Sequence, residues 1–145
     1  MSDATKEARA SYTTMVKRSI LGAKVVNRER EDLGTIEDLV VDTRDSRIAY
    51  AILSFGGFLQ MGDKHFAIPW AALAFNVAEK VAILNVDKDR LKNAPGFDKD
   101  HWPDMADTAW GKQIHGHYGY RPYWETEASA EGASRAAGQS GRTGD

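Results

Sequence analysis

Short runs of apolar residues, broken every few positions by turn residues, fill the chain between residues 24 and 86. Runs of this length that are rich in Val and Ile predict β-strands, and the Gly, Asp, Asn and Ser between them predict turns. We therefore expect six strands, over residues 24–27, 34–42, 47–55, 65–68, 74–77 and 80–86. A single helical turn at 70–73 and a short helix capped by Asp87 complete the predicted elements.

The third of these strands carries apolar residues on both faces. One face would hold Ile48, Tyr50 and Ile52, and the other Ala49, Ala51, Leu53 and Phe55. A strand of this kind is buried on both sides. The second strand breaks its alternation once, which predicts a β-bulge near Asp38. Six short strands at this spacing favour a small closed barrel, because closure leaves no exposed edge.

Half of the chain's 14 aromatic residues lie between positions 97 and 124. Disordered linkers are depleted in such residues, so this extension should pack on the barrel, on a second copy or on a partner. The predicted organisation is a flexible arm over 1–18, a barrel domain over 19–96, the aromatic extension over 97–124 and a disordered tail over 125–145. We expect an all-β fold with one short helix.

Composition narrows the class of protein. The 145 residues carry a net charge of −2 and include no cysteine. A near-balanced charge argues against a nucleic-acid scaffold, which needs a basic face, and the missing cysteines exclude disulfides and thiolate metal sites. No run approaches the ~20 apolar residues that span a bilayer, and no signal-peptide core is present, so we expect a cytoplasmic protein without membrane insertion.

No motif in the chain points to catalysis. The paired carboxylates fall in turns or at a helix start, and the glycines at 56, 57 and 62 lack the Lys-Ser/Thr of a phosphate loop. His115 and His117 would face one side of an extended chain, but two ligands are fewer than zinc requires. We expect no enzyme, cofactor or metal site.

Five segments of the chain carry a resemblance to a known family in their order and spacing. They are residues 20–22, 33–42 (LGTIEDLVVD), 47–59 (RIAYAILSFGGFL), 66–73 (FAIPWAAL) and 91–98. Together they resemble the PRC-barrel family, over about residues 19–104, and the aromatic extension resembles one carried by some stand-alone members. The family is named after the cytoplasmic domain of the photosynthetic reaction centre H subunit, and a related barrel belongs to a bacterial ribosome maturation factor. Both roles are protein binding, so the resemblance implies an adaptor-like barrel of unassigned partner.

The loop after the third strand is unusually apolar for a connection between strands. We expect it either to form an interface or to fold back onto one end of the barrel, and the extension either to cross its own barrel as a strap or to contact a second molecule. Our prediction is a non-enzymatic interaction module, a homodimer that also binds an unknown protein. The alternatives are a docking module for a membrane or ribosomal assembly, and a small-ligand or metal-binding barrel. The candidate interface residues are Phe58, Leu59, Met61, Trp102, Trp110, Tyr118, Tyr120, Tyr123 and Trp124.

Overall fold

The computed structural model describes residues 13–55, 64–98 and 100–126. Its strands are β1 (Lys24–Val26), β2 (Asp32–Asp42), β3 (Arg47–Ser54), β4 (Lys64–Pro69), β5 (Leu73–Asn76), β6 (Val81–Leu84) and β7 (Phe97–Asp98). Two α-helices, α1 (Lys88–Lys92) and α2 (Thr108–Tyr118), follow the strands, and short helical turns lie at Val16–Ile20, Trp70–Ala72 and Tyr123–Glu125. The turn at Val16–Ile20 begins inside the segment predicted as a flexible arm.

The strands form one sheet in the order β5-β6-β1-β2-β3-β4-β7, in which β1 and β6 are parallel and every other neighbouring pair is antiparallel. The fold is rich in β-structure, as predicted, but the closed six-stranded barrel is wrong. The described residues contain seven strands, and β5 and β7 stand at opposite ends of the ladder without pairing among them. A strand of two residues such as β7 has no periodicity that a sequence pattern could reveal.

The β2–β3 ladder contains the predicted bulge. Its register shifts between Ile36 and Asp38, and again between Val40 and Val41. Near the start of β2, Gly34 has φ +125°, and a Cβ there would lie 2.2 Å from the Ser54 carbonyl oxygen. Only glycine therefore allows the two strands to come this close at that position.

The core is built around β3, as its two apolar faces predicted. Residues 49–53 are each at most 2% exposed, and they pack with the buried apolar side chains of β1, β2, β4 and β6. At the end of β4, Pro69 precedes the predicted helical turn, and Asp87 caps α1 by accepting a hydrogen bond from the Arg90 amide at 2.7 Å. These local predictions are confirmed.

The prediction of one short helix is wrong because the extension contains a second, longer one. The α2 helix begins after Asp107, whose carboxylate accepts a hydrogen bond from the Ala109 amide at 2.9 Å. It ends at Gly119, which has φ 82° and donates its amide to the Gly116 carbonyl. The helix packs against β4. Both caps are typical helix boundaries, but its mixture of aromatic and polar residues has a weak helical periodicity. No helix among the described residues is long and apolar enough to cross a membrane.

Candidate functional site

The extension folds back onto the sheet of its own chain. The aromatic residues of the extension pack around Tyr50, at the centre of β3. Its ring centroid lies 5.3 Å from Trp110, 5.4 Å from His115 and 6.0 Å from Tyr123, mostly in edge-to-face geometry. Trp124 completes the cluster at 5.7 Å from the His115 ring. Aromatic pairs at these distances stabilise the folded chain by more than the area they bury accounts for. The extension therefore has a defined position on β3.

His115 joins α2 to the closing segment, residues 123–126. The imidazole is 1% exposed, and both of its nitrogens have partners. Nδ1 lies 2.8 Å from the Gly111 carbonyl oxygen, and Nε2 lies 3.2 Å from the Tyr123 amide nitrogen. Because a carbonyl only accepts and an amide N–H only donates, the geometry requires a neutral ring with its proton on Nδ1. Burial lowers the pKa of His115, against smaller opposing effects of the Gly111 hydrogen bond and of Glu125.

Two residues near the β2–β3 turn hold the other side of the closing segment. The Tyr123 hydroxyl donates to the Asp42 carboxylate at 2.5 Å, and the Arg47 guanidinium donates to the Tyr123 carbonyl at 2.5 Å. Arg47 also lies 5.6 Å from the centroid of the Tyr123 ring and donates to Thr126. The Tyr123 bond is the main cause of the lowered pKa of Asp42, while burial and then Asp42 raise the pKa of Tyr123 to about 12.

Gly111 permits the close contact between α2, β3 and the closing segment. A Cβ at this position would lie 2.7 and 2.9 Å from two ring atoms of Trp124 and 2.9 Å from the Tyr50 hydroxyl oxygen. Gly116, in the same helix, would place its Cβ in open space. The packing of the extension on β3 therefore depends on glycine, which has no side chain, at one position of α2.

Two open cavities flank Tyr123. The smaller, of about 590 Å³, lies between the β2–β3 turn and residues 105–108, with Asp42, Arg44 and Trp124 among its lining residues. The larger, of about 820 Å³, is named here the Tyr120 groove and lies where β3 begins and β4 ends. Its apolar walls include Ile48, Pro69, Trp70, Tyr120 and Tyr123.

A second aromatic group lies at the opposite end of the β3–β4 ladder. Trp102 packs at 4.9 Å from Phe97 and 5.7 Å from His65, and the last two rings stack at 5.8 Å. These three residues are named here the Trp102 patch. Trp102 keeps 48% of its surface exposed, although the rings of Phe97 and His65 fix its position.

Comparison with known proteins agrees with this architecture. The model of the PRC-barrel domain matches residues 15–91. The chain belongs to the PRC-barrel family. No curated protein matches it. Among solved structures, it is similar to a protein of Pseudomonas aeruginosa described as a 16S ribosomal RNA processing protein, RimM, with 18% identity and a TM-score of 0.37 over 56% of this chain. The match spans about half (49%) of that chain.

The six predicted interface residues that the structure describes do not form one surface in this PRC-barrel protein. Trp110, Tyr123 and Trp124 surround Tyr50, and Tyr118 is 9% exposed on the inner side of α2. Tyr120 is 42% exposed at its groove. In the structure of the single chain, the extension thus packs on its own sheet.

Three of the nine candidates lie in a segment that the structure does not describe. Phe58, Leu59 and Met61 lie outside the described residues, between Phe55 and Lys64. Those two flanking residues are joined by a 2.9 Å hydrogen bond from the Phe55 amide to the Lys64 carbonyl. The following residue, His65, is part of the Trp102 patch.

The expectation that His115 and His117 face one side is wrong, because they lie on a helix and not on an extended chain. Residues two apart on a helix point in different directions. His115 is buried under the closing segment, whereas His117 is half-buried with its ring 4.9 Å from Tyr118. No group of three His, Asp or Glu that could hold a metal occurs in the part of the chain that the structure describes.

The sequence pattern missed the polar residues that hold the extension in place: Asp42, Arg47 and His115. Asp42 and Arg47 lie 81 and 76 positions from Tyr123, their partner. A local pattern contains no signal for such distant pairs. For the helix itself the sequence does contain local signs. Asp107 and Gly119 cap its two ends, and Gly111 between them would have indicated close packing.

Proposed function

We propose that this PRC-barrel protein is a non-enzymatic protein-interaction module that forms a homodimer through the Trp102 patch. The observation that carries the proposal is the 48% exposure of Trp102, whose indole already packs on two rings. A large aromatic side chain held in place loses little conformational entropy on association. Trp residues of this kind are frequent among the side chains that dominate binding energy.

The position of the patch at the edge of the sheet supports the same proposal. β7 ends the strand ladder beside β4, so its outer side has no neighbouring strand among the residues that the structure describes. A two-fold axis next to this edge would bring the same patch of two copies together, as isologous dimers require. We expect Phe58, Leu59 and Met61, which precede β4, to enlarge the apolar contact.

The bonding of three titratable groups with shifted pKa values supports a non-enzymatic role. The pKa values of Asp42, His115 and Tyr123 are shifted. Tyr123 is hydrogen-bonded to both of the other two residues. A general acid or base must exchange its proton with a substrate. Here the same groups hold one part of the chain against another, which is a structural use of shifted pKa values.

Sedimentation velocity at several protein concentrations tests the dimer. We expect the unmodified protein to sediment as a dimer, Trp102→Asp as a monomer, and Tyr120→Asp as a dimer. The two variants are matched, because both replace a similarly exposed aromatic residue, and they lie at opposite ends of the β3–β4 ladder. Far-ultraviolet circular dichroism confirms that each variant is folded. A monomer at the highest concentration, or dissociation by Tyr120→Asp and not by Trp102→Asp, would overturn the proposal.

A further inference from the structure

The Tyr120 groove has the size and composition of a recognition site. Its volume of about 820 Å³ falls within the range of pockets that hold small ligands or short chain segments. Trp70 is half-buried and packs 5.1 Å from Phe75, so one wall has a fixed orientation. Tyr120 is 42% exposed at the mouth. An apolar side chain entering here would be covered by aromatic surface.

The charged side chains that the structure describes along the groove have one sign. Among the described lining residues, Arg47 and Arg121 are charged and none is Asp or Glu, although the whole chain carries a net charge of −2. His115, which also lines the groove, is kept neutral by its burial and by the Tyr123 amide, which donates to Nε2. Arg121 is therefore the cation that the groove offers to an anionic group, since Arg47 already lies 3.9 Å from the Asp45 carboxylate.

The two arginines suit a single carboxylate better than a polyanion. The Arg47 guanidinium is bonded to Tyr123 and Thr126, and its Nε lies 3.9 Å from the Asp45 carboxylate. Arg121 is exposed, which leaves it as the cation that a ligand would meet first. Nucleic acids need several phosphate contacts and a basic face, whereas one guanidinium can bind one carboxylate.

We propose that the Tyr120 groove binds a short peptide segment of another protein in which an Asp or Glu lies next to an aromatic or large aliphatic residue. The apolar side chain occupies the space between Trp70 and Tyr120, and the carboxylate accepts hydrogen bonds from Arg121. The proposal rests on the interaction role proposed above but not on the dimer, because the groove and the Trp102 patch lie at opposite ends of the β3–β4 ladder.

Selection of a random heptapeptide phage library on the full chain tests this site. We expect the selected peptides to share an acidic residue adjacent to Phe, Trp, Tyr or Leu. A synthetic peptide of the selected sequence is then titrated by fluorescence anisotropy. Arg121→Glu should weaken binding by about tenfold or more, as expected for loss of a charge-assisted hydrogen bond.

Arg44→Glu is the matched control, since it makes the same change of charge at an exposed arginine that does not line the groove. It should change the affinity by less than about threefold, the scale of a screened surface charge. Selected peptides without an acidic residue, equal weakening by both variants, or no selected peptide at all would overturn the proposal. Binding of a short single-stranded DNA that competes with the peptide and depends on Arg121 would assign the groove to nucleic acid instead.

The two proposals fail separately. Arg121→Glu should still sediment as a dimer, and Trp102→Asp should still bind the selected peptide with unchanged affinity. A protein that binds the peptide but is monomeric would disprove the dimer and leave the groove assignment in place.

Discussion

Gly111 and Gly116 offer a direct test of how closely the extension packs. Both lie in α2, so replacing either by alanine gains helix propensity, about 0.5–1 kcal/mol at an interior position. A Cβ at Gly116 meets nothing within 4 Å. We therefore expect Gly116→Ala to raise the free energy of unfolding by about this amount.

At Gly111 the added Cβ would lie 2.7 Å from the Trp124 ring and 2.9 Å from the Tyr50 hydroxyl oxygen, both closer than Cβ contacts allow. Neither neighbour can move cheaply, since Tyr50 is 1% exposed in β3 and Trp124 packs on Tyr123 and His115. Overpacking of this kind costs about 1–3 kcal/mol. The propensity gain offsets part of that, so Gly111→Ala should lower the free energy of unfolding by up to about 2 kcal/mol.

The difference between the two variants isolates the steric cost, because their propensity gains are similar. Urea unfolding followed by tryptophan fluorescence measures both, and calorimetry should show transition temperatures separated by several degrees, at about 3–5 °C per kcal/mol for a domain of this size. If Gly111→Ala is as stable as Gly116→Ala, α2 does not pack on Tyr50 and Trp124 as described. In a Trp124→Ala background, Gly111→Ala should cost less stability than in the unmodified protein, since removing the indole removes part of the clash.

Three further predictions concern the closing segment and the sheet. Because burial lowers the pKa of His115 in the folded state, the unfolded chain binds more protons than the folded chain below about pH 6.5. The contribution of His115 to the free energy of unfolding is therefore complete above that pH. It is lost as the pH falls towards the pKa of the folded state. Urea unfolding between pH 7.5 and 5 should show this loss, and an equally steep loss in His115→Gln would contradict it. Tyr123→Phe removes the main cause of the lowered pKa of Asp42, so a carboxyl titration by NMR should find that pKa raised, with a loss of stability of up to about 1 kcal/mol; an unchanged Asp42 titration would show that the bond does not form in solution. Gly34→Ala should destabilise by at least about 2 kcal/mol, because its Cβ would meet the Ser54 carbonyl at 2.2 Å and its φ of +125° disfavours a side chain; thermal melting like that of the unmodified protein would contradict the close approach of β2 and β3.

The strands from β1 to β6 could be predicted because each has local signals. β3 shows apolar residues on both faces, β2 breaks its alternation at the bulge, and Pro69 and Asp87 mark the helical elements that follow. These signals arise from side-chain periodicity and from backbone preferences, both of which act over a few residues. The same residues were sufficient to predict membership of the PRC-barrel family.

The tertiary structure decided whether the sheet closes, where the extension lies and what holds it. β7 is too short to have a pattern, and α2 has clear caps but mixed side chains, so neither was predicted. The contacts of Tyr123 with Asp42 and Arg47 join positions about 80 residues apart, and His115 acquires its role only when the closing segment reaches it. The sequence alone therefore determined the sheet elements and the family. The arrangement of the extension depends on long-range hydrogen bonds and steric contacts, for which no local pattern exists.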